Sequence, residues 1–243
     1  MQSWGMTDPG CVRTQNQDVY QIEELGRGAL LCLVCDGMGG AKSGNVASSL
    51  AADVFIQEIK RSWKTGMTIE EIGSMMSGAV KLANYTVYDQ ANEVEEFNGM
   101  GTTLVCVLIS GRDAVFINVG DSRAYLINRD GIAQITNDHS LVQMMVDRGE
   151  LAPGQARTYP GKNMITRAVG TENMVQGDLY HHTMEKDDFL LLCSDGLSNM
   201  LDPQEILFEV VHGGAAEDCC QRLVNIAKDR GAPDNVTGVL VSF

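Results

Sequence analysis

Thr102-Thr103-Leu104-Val105-Cys106-Val107-Leu108-Ile109, broken by Gly111-Arg112-Asp113 and resumed as Ala114-Val115-Phe116-Ile117-Asn118-Val119, decides the fold class. Both runs are short, apolar and rich in β-branched residues, which suits strands. Ala124 to Ile127 and Ile132 to Ile135 repeat the pattern, with Asn128-Arg129-Asp130-Gly131 between them. Linkers this short close hairpins, whereas a parallel crossover needs a dozen residues or more. The sheet is therefore expected to be largely antiparallel.

Upstream the period changes from two to nearly four. Ala47, Ala51, Phe55 and Ile59 predict a core-facing helix over about 45–63. Thr68, followed by Glu70 and Glu71, reads as an N-cap with acids in the first turn. From there Ile72, Met76, Ala79, Ala83 and Val87 carry a second stripe toward Glu93, with Met75 and Met76 as core fillers. Downstream, residues 138–165 are irregular around one short helix from Leu141 to Arg148, and read as a flap or long loop. A strand at Phe189 to Cys193, helices near 203–212 and 215–230, and a last strand from Val236 to Phe243 complete the chain. Helices clustered in sequence with an antiparallel sheet between them predict an α+β fold. No linker divides the chain, so residues 1–243 are expected to form one domain.

The chain carries 32 Asp+Glu against 18 Lys+Arg, a formal net charge of -14. That excludes a function resting on a broad basic nucleic-acid surface. The apolar runs are too short to span a bilayer, and Met1 to Gly5 has no export-signal pattern, so the expected place is the cytoplasm. The 7 cysteines sit mostly inside apolar runs, as reduced core thiols do. Cys32 and Cys35 have CxxC spacing, but residues three apart on a strand face opposite ways. With no apolar stripe left unassigned, a monomer is expected.

Aspartates punctuate the strands. Leu30 to Cys35 runs into Asp36-Gly37, Val115 to Gly120 into Asp121, and Phe189 to Ser194 into Asp195-Gly196. Asp234 stands just before the last strand, and Asp18 follows Asn16-Gln17. A carboxylate at the end of a buried strand is costly unless it is paired or coordinated. Oxygen donors of this kind suit Mg²⁺ or Mn²⁺, and the 4 histidines make no zinc-like pattern with the cysteines. Turn-forming and helix-capping aspartates are the bland alternative.

The ordered series Arg13-Thr14-Gln15-Asn16-Gln17-Asp18, Asp36-Gly37-Met38-Gly39-Gly40, Gly101-Thr102-Thr103, Gly120-Asp121-Ser122-Arg123, Asp138-His139-Ser140, Ile165-Thr166-Arg167-Ala168-Val169-Gly170, Ser194-Asp195-Gly196 and Asp234-Asn235-Val236-Thr237 resembles the metal-dependent protein phosphatases of type 2C, especially their compact bacterial members. The resemblance covers nearly the whole chain. It implies a four-layer α-β-β-α sandwich of two mostly antiparallel sheets flanked by helix pairs. It implies two Mn²⁺ or Mg²⁺ ions bridged by Asp36, with the Gly37 carbonyl on one and Asp195 and Asp234 on the other. Asp18 then lies in the shell through water, and Asp121 with Asp195 serves a third, weaker ion, where Asn199 stands in place of another carboxylate.

The implied activity is hydrolysis of phosphoserine and phosphothreonine in proteins by direct attack of the metal-bridging water, with Arg13 as phosphate clamp. The implied partners are phosphorylated proteins and a bacterial serine/threonine kinase. Met38 cannot supply the proton that some relatives take from His, which leaves a water near Asp121 or His139, although His139 beside Asp138 and Ser140 is expected first to be a hydrogen-bonded turn residue. An inactive member of the fold, serving as a binding module, is the competing expectation.

Overall fold

Among the described residues, eleven strands and seven α-helices follow one another along the chain. The computed structural model describes residues 1–243, apart from the side chains of Ala41 and Lys42. The elements are β1 (Gln2–Asp8), β2 (Asp18–Gly26), β3 (Ala29–Met38), α1 (Gly40–Ser62), α2 (Ile69–Glu93), β4 (Gly101–Thr102), β5 (Leu104–Ser110), β6 (Asp113–Val119), β7 (Arg123–Asn128), β8 (Gly131–Gln134), α3 (Leu141–Asp147), α4 (Pro153–Ala156), β9 (Asp178–Thr183), β10 (Phe189–Cys193), α5 (Asp195–Ser198), α6 (Pro203–His212), α7 (Cys219–Asp229) and β11 (Val236–Ser242). One sheet has the order β1-β11-β10-β7-β8, the other β2-β3-β5-β6-β9 with β4 paired to β3. Every strand pairing is antiparallel, and short linkers require it for β2–β3, β5–β6 and β7–β8.

Three apolar cores separate the layers. The first packs α1 and α2 on the second sheet through Ala47, Phe55, Ile59, Met76 and Val87 against Leu31, Leu33 and Ile117. The second packs α6 and α7 on the first sheet through Ile206, Leu223 and Val224 against Leu191 and Leu240. The third lies between the sheets, where Leu30, Cys32, Val34 and Phe116 meet Leu190, Leu192, Val239 and Val241. Strand β3 explains its own unbroken apolar sequence: its alternate residues enter different cores, so both faces are buried. Cys35 accordingly joins the first core and Cys32 the third.

The structure moves some expected boundaries. Strand β3 does not stop at Asp36 but continues to Met38, because Gly37 and Met38 pair with Thr102 and Gly101 of β4. The last helix begins at Cys219 rather than near 215, after a short 3₁₀ turn at Ala216–Asp218. Strand β9, absent from the sequence reading, forms an edge beside β6.

At the start of α2, the Thr68 side chain accepts from the Glu71 amide while the Glu71 carboxylate accepts from the Thr68 amide. This reciprocal cap satisfies two otherwise open helix donors. Thr68→Ala is expected to cost about 1 kcal/mol and, in a chain of this size, to lower Tm by about 2–4 °C. Thermal unfolding checks it, and an unchanged Tm contradicts the cap's contribution.

Candidate active site

Where the two sheets meet at one edge, a cavity of about 530 Å³ is lined by Asp36, Asp121, Asp195, Asp234, Gly37, Thr103 and the loop Arg13–Gln15. Asp36 arrives on β3, Asp121 on the β6–β7 turn, Asp195 at the first position of α5, and Asp234 just before β11. Asn163 and Ile165, from the irregular segment after α4, complete the wall together with Met38. Asp18 stands behind the wall, only 5% exposed.

Asp36 is fixed by its backbone. Its N–H donates to Thr103 Oγ1 (2.9 Å), and its carbonyl accepts from Thr102 Oγ1 (2.9 Å) and the Thr103 amide (2.9 Å). Thr103 Oγ1 also shares a hydrogen bond with Ser122 Oγ (2.7 Å), so one threonine spans the turn that carries Asp121 and the strand that carries Asp36. Gly37 has no room for a side chain, since a Cβ there would run into the Gly44 carbonyl.

A hydroxyl chain crosses between the sheets to Asp18. Asn16 Nδ2 donates to Thr7 Oγ1 (2.8 Å), which bonds Thr237 Oγ1 (2.7 Å), which donates to Asp18 Oδ2 (2.6 Å). Ser194 Oγ donates to the same oxygen (2.7 Å). Asp18 Oδ1 is buried without a hydrogen-bond partner. Asn235 organises the loop opposite: its Oδ1 accepts from the Gln17 amide (2.8 Å), and its Nδ2 donates to the carbonyls of Pro9 and Gln15 (3.0 Å each). Gln17 then donates through Nε2 to the Gly40 carbonyl (3.0 Å), a neutral tie to the glycine-rich turn. Arg13 Nη2 donates to Asp234 Oδ2 (2.9 Å).

The electrostatics are those of crowded anions. Asp36 and Asp195 open onto the cavity, yet enough protein surrounds them that desolvation is the largest influence on each. Desolvation, then the charges of Asp18, Asp195, Asp121 and Asp234, pushes the Asp36 carboxyl well above its usual range. Desolvation pushes Asp18 up to about 6, against the pull of Thr237 and Ser194, and Asp121 up to about 8 with help from Asp195 and Asp138. Asp195 is raised by desolvation and then by Asp234. Anions held in this way call for cations.

Hard divalent ions fit this donor set. The donors are all oxygens, the buried Asp18 Oδ1 faces an unmet demand, and Gly37 permits close backbone approach. No three His, Cys, Asp or Glu side chains among the described residues close on one point.

Sequence reasoning named Arg13, Asp18, Asp36, Gly37, Asp121, Asp195 and Asp234, and all but Asp18 line one cavity. It gave no structural role to Thr103, Thr237, Ser194 or Asn235, although all four lie in the quoted motifs. Asn163 and Ile165 carry no sequence signal. His139 does not line the cavity: it is 8% exposed and hydrogen-bonded at both ring nitrogens, to the Gly120 amide and to Asp178. That removes it as the proton donor. Cys193 is likewise no nucleophile, since burial holds its thiol up to about 12.

Raised carboxyl pKa values tie stability to pH. A folded state that holds protons more tightly than the unfolded chain is favoured below the unfolded carboxyl pKa and loses that advantage as pH rises through the folded values. For Asp18 and Asp121 that window runs from about 4 to about 8. Metal-free protein is thus expected to lose Tm between pH 6 and pH 8, and Asp121→Asn to lose less. Thermal unfolding in EDTA checks it; equal slopes for the two proteins contradict the charge-crowding picture.

Comparison with known proteins then gives three concordant findings. Residues 12–240 match the family described as protein phosphatase 2C. The protein phosphatase PhpP of Streptococcus pneumoniae is 35% identical over 98% of this chain and 96% of its own length, and the serine/threonine phosphatase stp of Listeria monocytogenes is 34% identical over 97% and 93%. Among solved structures, serine/threonine phosphatase Stp1 from Staphylococcus aureus superposes with a TM-score of 0.93 at 37% identity, covering 99% of this chain and 94% of that one. The catalytic domain of serine threonine protein phosphatase PstP in complex with 2 manganese ions superposes with a TM-score of 0.84 at 31% identity, covering 98% and 96%.

Proposed function

The chain belongs to the protein phosphatase 2C family and is a serine/threonine protein phosphatase, and we propose that its carboxylate-lined cavity is the catalytic centre, with the roles below. The site is a dual metal-ion site acting on phosphoproteins. The observation that carries the assignment of residues is the convergence of Asp36, Asp195 and Asp234 with Arg13 on one opening.

Asp36, Asp195, Asp234 and the Gly37 carbonyl would hold two ions, with Asp18 supporting them from behind. Bound there, the ions supply Lewis-acid charge and a water acidic enough to act near neutrality. Arg13 has donors to spare beyond its bond to Asp234, and its planar fork orients the phosphoryl oxygens at the mouth. Thr102 and Thr103 fix the backbone from which the Asp36 carboxylate projects. Met38 has no proton to give and His139 is committed elsewhere, so the departing serine or threonine oxygen takes its proton from water in the cavity.

Mn²⁺ and Mg²⁺ both suit these oxygens. A third ion at Asp121 and Asp195 is the weaker member, because Asn199 Nδ2 already donates to Asp195 Oδ2 (3.0 Å). The same reading takes residues 1–243 as one catalytic domain with 138–165 as a flap, working as a monomer in the cytoplasm against a serine/threonine kinase. No helix among the described residues is long and apolar enough to cross a membrane. The binding-module alternative would need the aspartates to have lost their convergence, and they keep it.

Hydrolysis of p-nitrophenyl phosphate and of a phosphothreonine peptide tests the assignment. Activity is expected with Mn²⁺ or Mg²⁺ and absent in EDTA. Asp36→Asn is expected to lose at least about 100-fold in kcat, the scale of removing one charge-stabilising group. Arg13→Ala is expected to raise KM for both substrates. Full activity of Asp36→Asn in folded protein would refute the assignment.

A further inference from the structure

Both peptide planes that flank Gly120 are held by one residue. The Gly120 N–H donates to His139 Nδ1 (3.0 Å), and the His139 backbone N–H donates to the Gly120 carbonyl (2.9 Å). Gly120 has φ +106°, a conformation open to glycine. A Cβ there would also lie 2.6 Å from Thr103 Cγ2. The second of these planes ends in the amide of Asp121, so the orientation of Gly120 sets where the Asp121 carboxylate emerges into the cavity. Asn118 Nδ2 adds a further bond to the Gly120 carbonyl (3.1 Å).

The imidazole itself is oriented from behind. An amide N–H can only donate, so Nδ1 must be the acceptor and Nε2 must carry the proton. Nε2–H points to Asp178 Oδ2 (3.1 Å), and Asp178 Oδ1 accepts from Arg167 Nη1 (2.6 Å). Arg167 is braced in turn on the Gln176 carbonyl (2.9 Å). The order Arg167, Asp178, His139, Gly120, Asp121 therefore runs from the β9 edge to the catalytic cavity through fixed donors and acceptors.

We infer that His139, oriented by Asp178 and Arg167, is the positioning residue that sets Asp121 for its hold on a divalent cation. This rests on the reading of Asp121 as a ligand in the catalytic centre. The inference gives separate jobs to the two ring nitrogens: Nδ1 positions Asp121, while Nε2 only orients the ring.

Two substitutions separate those jobs. His139→Asn puts an amide oxygen close to where Nδ1 accepts, and His139→Gln keeps a donor toward Asp178 but no acceptor for Gly120. Mn²⁺ binding by calorimetry is measured for both, for Asp121→Asn, and for the His139→Gln/Asp121→Asn double variant, alongside Tm. His139→Gln is expected to weaken the ion affected by Asp121→Asn by roughly tenfold, as loss of an outer partner of a metal ligand does. His139→Asn is expected to stay within about threefold of wild type, and the double variant to bind no worse than Asp121→Asn, because coupled residues do not add.

Equal losses for His139→Gln and His139→Asn, or additive losses in the double variant, overturn the positioning role. Unchanged Mn²⁺ binding by Asp121→Asn instead overturns the reading of Asp121 as a ligand. If the variants fail to fold, nitrogen NMR of wild-type His139 decides: the Nε2–H tautomer is expected, and an Nδ1–H ring overturns the proposal.

Discussion

Burial together with mutual repulsion among Asp18, Asp36, Asp121, Asp195 and Asp234 is the constraint around which this molecule is built. Asp18, Asp36, Asp121 and Asp195 have their carboxyls pushed above the usual range by desolvation and by their neighbours. Leaving such a group uncompensated costs on the order of 3–5 kcal/mol. The surroundings answer in two ways. Hydroxyls and backbone amides fix the carboxylates in place, through Thr103 on the Asp36 amide and Thr237 and Ser194 on Asp18. The remaining negative charge is left open toward the cavity, where cations and the Arg13 guanidinium can meet it.

The scaffold makes this arrangement affordable by separating packing from chemistry. Three apolar cores set the sheets and helices rigidly, and the carboxylates emerge at strand ends and turns along one edge. Those positions belong to different sheets: Asp36 lies on β3 of one, Asp195 and Asp234 flank β10 and β11 of the other, and Asp121 sits on the β6–β7 turn that joins the two. The two sheets must be packed before the charges converge, so the site forms only in the native fold. Asn235 and Gln17 then stitch the segments together, which keeps the Arg13 loop in register with the glycine-rich turn.

Much of this is legible in the residues, where local physics decides. The four-residue spacing of Ala47, Ala51, Phe55 and Ile59 and the Thr68 cap mark helices because both signals act within a turn or two. Short turns force antiparallel pairing for the same reason. The bond between Arg13 and Asp234 joins residues 221 positions apart, and no periodicity encodes it. Strand β9 was missed because its polar sequence, Asp178 to Thr183, lies at a sheet edge with alternate residues exposed. Asp36 looked like a strand terminus because the apolar run ends there, yet pairing with β4 carries the strand two residues further. The structural reading of His139 follows from its polar neighbours Asp138 and Ser140, but its ring partners, Gly120 and Asp178, lie 19 and 39 positions away and no local pattern encodes them.

The claim that these carboxylates are strained against one another until cations bind can be tested without turnover. Thermal unfolding of wild type and Asp36→Asn at pH 8, in EDTA and in saturating Mn²⁺, is the direct measurement. In EDTA, Asp36→Asn should be the more stable protein, since it removes one crowded charge; in Mn²⁺ the order should reverse. If Asp36→Asn is less stable by the same margin in both conditions, Asp36 is a structural residue and the account of the site is wrong.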